Sequence, residues 1–166
     1  MKKIVPRTNL ERWLDGLSLF GIAVMLVYIG FIWPSLPHTI PTHFGFNGEA
    51  DGFGGKGNIF IHPIVGLGLY ILFHLLSRFP QLFNYPPHVT EEQKQQLYIL
   101  SRTLLGWLQF EIIIFGVYST WENAQIAMQR EFGFSTISFV TFLIVLFSTM
   151  IFYIVRSLRE SKKITL

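Results

Sequence analysis

The chain has 166 residues, of which 51% are hydrophobic and only 14% charged, with 17 Phe and a formal net charge of +3. The length fits one domain, the apolar excess excludes an ordinary soluble globule, and so small a positive charge fits membrane orientation better than nucleic-acid binding. With no cysteine, disulfides, thiolate metal sites and thiol catalysis are excluded.

Residues 1–15 carry Lys2, Lys3, Arg7 and Arg12 and read as a basic cytoplasmic lead. Residues 16–33 are uncharged and form the first span, since about 20 residues at 1.5 Å rise cross a hydrocarbon core of about 30 Å. A cleaved signal peptide would have a shorter apolar run and a small-residue cleavage site; this run ends in Phe31-Ile32-Trp33-Pro34, so the helix is expected to stay uncleaved.

Residues 34–58 form a polar loop. Pro34, Pro37 and Pro41 come first and six glycines follow between Gly45 and Gly57, so neither a helix nor a long strand is expected through it. Residues 59–76 form a second span despite His62, Pro63 and His74, because Pro63 falls in the first turn where its missing N–H costs little. Residues 77–90 are a loop. Thr90-Glu91-Glu92-Gln93 fits a capping box, with the acidic pair at the positive end of the helix dipole. Helical character is expected from Glu91 to about Trp121, about 45 Å, longer than a bilayer core. Its first three turns should therefore project into water, with the third span over 103–121. Residues 122–133 read as a short polar connection, 134–155 as the fourth span and 156–166 as a basic tail.

With four spans and the N-terminus inside, Lys2, Lys3, Arg7, Arg12, Arg78, Lys94, Arg102, Arg156, Arg159, Lys162 and Lys163 are cytoplasmic, 11 of the 13 basic residues. The positive-inside rule then places both termini in the cytoplasm and the 34–58 loop outside. Trp13, Trp33, Trp107 and Trp121 fall near span ends, where an interfacial belt belongs.

Two blocks carry a family resemblance. Pro37-x-x-Ile40-Pro41-Thr42-His43-Phe44 followed by Gly48-Glu49-x-Asp51-Gly52 and Lys56 is similar to the hallmark of a bacterial membrane domain of unknown function. That domain also forms the N-terminal part of the SdpI-like immunity proteins, which protect cells from a sporulation-delay toxin and help to signal its presence. The block from Phe79 through Phe83-Asn84-Tyr85-Pro86 to Thr90 and Tyr98 resembles the linker and third-helix start of the same family. Together they cover roughly residues 17–120. The resemblance implies a bacterial inner-membrane protein with an outward-facing motif, a sensing or immunity-like role, and a peptide, toxin or membrane-protein partner. It implies no catalytic residue and no cofactor. It also implies a further membrane region that four spans do not provide.

Within the loop, Asn47-Gly48 is a two-residue turn signal and Asp51-Gly52 a second one. Reversal at Asn47-Gly48 brings His43 and Asp51 together, four residues either side. The motif residues Pro37, Pro41, His43, Asn47, Gly48, Asp51 and Lys56 are the candidate ligand-binding set. His38, His43, Glu49, Asp51 and His62 are candidate ligands for a divalent metal such as zinc when three or four converge, although their spacing matches no metal signature. The plainer reading is a compact cap: Asn47 and Asp51 satisfy turn amides, His43 bonds to backbone, and Lys56 anchors at the headgroups. Gly54-Gly55-Lys56 is not a phosphate loop, because Gly57 stands where Ser or Thr is required.

Glu111 sits near the middle of the third span with Gln109 close by. A charged carboxylate there costs about 2.5–3.5 kcal/mol on insertion scales, so it should face the bundle, with Tyr70, Ser148 or Thr149 as hydrogen-bond partner. Gly66 and Gly68 would permit close helix approach. The expected architecture is an all-α, single-domain membrane protein of four transmembrane helices, with a Pro/Gly-rich extracytoplasmic loop between the first two and a cytoplasmic extension of the third. Three functions follow from it: non-enzymatic sensing or immunity through the loop, a small transporter or transporter subunit using Glu111, or a metal-dependent membrane enzyme at His43 and Asp51. Its partners are the lipid bilayer and a peptide or protein, not nucleic acid.

Overall fold

The computed structural model describes residues 5–79, 83–86, 88–130 and 136–163. Parts of the expected basic lead (Lys2, Lys3) and of the second family-like block (residues 80–82 and 87) lie outside these. Four helices are long and apolar enough to cross a membrane: α1 over Asn9–Ile32, α2 over Ile61–Leu76, α3 over Glu91–Ala127 and α4 over Thr136–Ser161. They alternate in direction, and large apolar side chains such as Phe20, Ile64, Leu72, Val145 and Ile151 stay exposed on their outer faces, the pattern of a surface made for lipid.

Helices α1 and α3 begin where their sequences provide a cap. Thr90 Oγ1 accepts from Gln93 N at 3.2 Å while Gln93 Oε1 accepts from Thr90 N at 2.9 Å, the reciprocal pair of a capping box. Thr8 and Glu11 build the same motif at the start of α1, so this helix begins seven residues before the apolar run. Helix α3 likewise runs on to Ala127. Glu122, expected in a polar connection, is instead buried in its last turns, with Tyr118 donating to its Oε1 at 2.9 Å.

The first turns of α3 are exposed on one side, at Glu91, Glu92 and Gln96, and packed against the protein on the other. Gln93, Leu97, Tyr98 and Leu100 are buried, with Gln93 donating to the carbonyls of Glu160 and Lys163 and Tyr98 to that of Ser77. Arg102, counted above among the cytoplasmic cations, is enclosed against the N-terminal segment. Its Nε and Nη2 donate to Glu11 at 2.6 and 2.8 Å, and its Nη1 and Nη2 to the carbonyls of Val5 and Pro6 at 3.1 and 2.9 Å.

The chain is not all-α. Within the polar loop, β1 (Thr39–Phe44) and β2 (Ala50–Gly55) pair antiparallel, and a 3-10 turn over Lys56–Phe60 leads into α2. The prolines do not prevent this, because a two-stranded ribbon has edges on both sides where a missing N–H is tolerated. Asp51 and Gly52 lie inside β2 rather than in a second turn. The reversal also differs from the expected one: Gly48 N donates to Gly45 O and Gly45 N to Glu49 O, both at 2.9 Å. Phe46 and Asn47 are therefore the central turn residues, and Gly48, at φ 80°, closes a three-residue loop in the left-handed region that glycine adopts freely.

Two apolar clusters hold these parts together. Ile22 and Met25 of α1 meet Ile113 of α3 midway along the bundle. At the hairpin end, Ile29, Ala124 and Ile59 enclose Leu36 and Ile40, which seats the hairpin on the helix ends. The tightest helix approach is at Gly21, where a Cβ would stand 2.8 Å from Ile113 Cγ2. Of the two glycines expected to do this, a Cβ at Gly66 would make ordinary contacts from 3.6 Å, and one at Gly68 would meet nothing within 4 Å.

Candidate functional site

The hairpin roofs a cleft of about 620 Å³ over the ends of the helices. Residues 41–46 and Asp51 form the roof; Ile61 and His62 of α2, Phe115, Ser119 and Asn123 of α3, and Thr136 and Phe139 of α4 form floor and walls. Its size is that of a small-molecule site, and its mostly apolar lining with a few polar groups is the usual makeup of one.

Two irregularities in the strand pairing shape the roof. Pro41 pairs with Phe53, His43 with Gly52 and Phe44 with Ala50, so Thr42 on one strand and Asp51 on the other have no register partner. Such bulges re-aim neighbouring side chains. Here they put His43 Nδ1 2.5 Å from Asp51 Oδ1. The glycine opposite allows this, since a Cβ at Gly52 would lie 2.9 Å from His43 Cβ. His43 thus bonds to a carboxylate rather than to backbone. A neutral imidazole that donates Nδ1–H to this carboxylate presents Nε2 as its acceptor. The pair stands in water, with side chains 73% and 55% exposed, so its attraction is well screened.

The floor carries polar atoms with no partner. Asn123 Nδ2 donates to Pro41 O at 3.1 Å, which ties α3 to β1 and leaves Asn123 Oδ1 as the other end of the amide. That oxygen, Ser119 Oγ and His62 Nδ1 are all buried without a hydrogen-bond partner. A buried polar atom left unpaired costs about 1–3 kcal/mol, so three around one cleft are atoms that a bound molecule or water can satisfy.

The other expected site residues fall elsewhere. Asn47 Oδ1 accepts from Glu49 N at 3.1 Å and its Nδ2 donates to Glu49 Oε2 at 2.7 Å, so both serve the hairpin tip. Lys56 lies 4.4 Å from the Trp33 ring centroid, a cation–π contact, and its N–H donates to His38 O. Pro37 and His38 are exposed before β1. Of the five candidate metal ligands, His43, Asp51 and His62 border the cleft, but among the described residues no three His, Asp or Glu are grouped to hold an ion. Glu111 accepts from Thr149 Oγ1 at 2.6 Å, one of the three expected partners, on the α3–α4 face away from the cleft.

Ser119 and Asn123 were not singled out from the sequence. Their four-residue spacing puts them on one helix face with Gly116, a signal that was present but hidden by ending the helix near Trp121.

No solved structure matches the chain. An uncharacterized protein of Archaeoglobus fulgidus is 35% identical over 89 residues, 49% of this chain. The chain spans about half the length of that curated relative, 49% of it being matched. Residues 20–67 match the family model described as a domain of unknown function, DUF1648, a stretch that takes in the later turns of α1, the whole hairpin and the first turns of α2.

Proposed function

We propose that this is a multi-pass membrane protein that senses a molecule on the outer face through the hairpin cleft, in an immunity-like role of the kind its resemblance to SdpI-like proteins implies. The observation that carries this is the cleft itself: a ligand-sized space whose roof is the family-matched motif and whose floor is a helix running unbroken for 37 residues, about 55 Å. A molecule wedged between Pro41 and Asn123 acts on α3 directly. The far end of that helix holds the N-terminal segment through Arg102 and the end of α4 through Gln93, so a shift in α3 is transmitted to both. A fluorophore on Lys163→Cys tests the reading without presupposing a ligand. Its emission in nanodiscs should change when concentrated growth medium is added, and should not change in Asn123→Leu. An unresponsive Lys163→Cys protein with intact fold overturns the proposal.

The His43–Asp51 pair favours a second reading, acid–base chemistry on a molecule held in the cleft, with His43 Nε2 as the base and Asp51 fixing its tautomer. Under that reading Asp51→Asn removes turnover while binding persists. Under the sensing reading, Asp51→Asn alters binding and there is no turnover to lose.

A further inference from the structure

Resting on the reading of the cleft as a ligand site, its chemistry narrows what it accepts. Asn123 cannot offer its amide N–H₂ fully, because one N–H is committed to Pro41 O, so its unpartnered Oδ1 needs a donor. Ser119, only 2% exposed, has an Oγ that nothing in the protein contacts through a hydrogen bond. His43, with its Nδ1 held by Asp51, presents another acceptor. Among the described lining residues the formal negative charge is the Asp51 carboxylate, and none is a lysine or arginine; Lys56 is turned over Trp33 instead. The walls include Phe115 and Phe139, with rings 6.0 Å apart, an apolar surface suited to the body of a ligand rather than its charged head. A carboxylate or phosphate entering here would meet the like charge of Asp51, whereas an ammonium is attracted to that charge and can donate to Asn123 Oδ1.

We propose that the cleft binds an amphipathic ammonium: a primary amine head donating to Asn123 Oδ1 within reach of Asp51, with an apolar body against Phe115 and Phe139. Two sources share this chemistry, a free amine (a peptide N-terminus included) and an ethanolamine lipid headgroup. Titration calorimetry on the full chain in phosphatidylcholine nanodiscs, with hexylammonium and hexanoate as probes, tests it. Hexylammonium should bind saturably and at least tenfold more tightly than hexanoate. Asn123→Leu should weaken it about tenfold. Ser119→Ala should also weaken it, and because that hydroxyl has no protein partner the fold does not depend on it. Asp51→Asn should remove the preference for the cation. Loss of hexylammonium binding in nanodiscs containing phosphatidylethanolamine assigns the site to the lipid headgroup, and undiminished binding assigns it to a free amine. Hexanoate binding as tightly as hexylammonium, in a manner that Asn123→Leu abolishes, overturns the ammonium class and leaves the cleft as a ligand site. Absence of saturable hexylammonium binding overturns the proposal outright, while the Lys163→Cys emission test separately decides whether the cleft senses anything.

Discussion

Arg102 and Glu11 are the clearest case of one pair of side chains holding distant parts of the chain. Their side chains are 5% and 2% exposed, and removing two charges from water is costly unless every donor and acceptor is met. Here most are met: the guanidinium makes four hydrogen bonds, to two carboxylate oxygens and two carbonyls, while Glu11 also accepts from Thr8 N at 2.7 Å. Glu11→Gln or Arg102→Met alone should therefore lower stability by about 3–5 kcal/mol, measured as denaturant-induced unfolding in detergent micelles. The double variant should lose less than the sum, and additive losses would show that the two do not act as a pair. By contrast, Asp51→Asn removes an exposed contact and should cost under about 1 kcal/mol, which makes it a clean probe of function. Gly48→Ala should cost about 1–2 kcal/mol, because its positive φ disfavours any side chain. The nearness of His43 to Asp51 was readable from eight residues of separation and one turn signal. The Glu11–Arg102 pair was not, since 91 residues divide its members and no local pattern marks such a contact.

Among the elements, helix starts were legible where a cap is local, as at Thr90–Gln93. The same signature at Thr8–Glu11 was passed over because four nearby cations gave the segment the character of a polar lead. The reversal is legible in Asn47-Gly48, but the paired strands are not, because composition rules count prolines and glycines without knowing where the ribbon has free edges. Packing between helices depends on which side of each helix faces its neighbour, and two glycines make that testable. Gly21→Ala should destabilise by about 1–3 kcal/mol, since the added methyl would press on the stiff, β-branched Ile113, whereas Gly68→Ala should be neutral or slightly stabilising. Equal effects would mean that α1 and α3 do not approach closely at Gly21. On the α3–α4 face, Glu111→Gln keeps an oxygen for Thr149 and should leave thermal stability in detergent unchanged. If Glu111 only joins two helices, no flux changes with it; loss of proton-linked uptake in Glu111→Gln vesicles would support the transport reading.

For the whole molecule, every functional argument depends on which face of the membrane carries the hairpin. The four apolar helices alternate in direction, so the hairpin and both described chain ends lie on opposite faces whenever all four cross. The distribution of cations then predicts the sign. The hairpin face has few cations, with Lys56 drawn onto Trp33, whereas the opposite face gathers Arg7, Arg12, Arg78, Lys94, Arg156, Arg159, Lys162 and Lys163. Charge of that asymmetry next to membrane spans is retained on the cytoplasmic side. The asymmetry does not depend on Arg102, which is buried against Glu11, since the other cations of that face suffice. The chain has no cysteine, so single replacements report without background. Phe46→Cys, at the fully exposed hairpin tip, should react with a membrane-impermeant maleimide added to intact cells, and Lys163→Cys only after the cells are permeabilised. The reverse pattern would place the cleft in the cytosol and turn the proposed sensor toward internal molecules. Reaction of both from the medium would mean that the helices do not cross as a set of four, and with that the separation of ligand site from responding end would be lost.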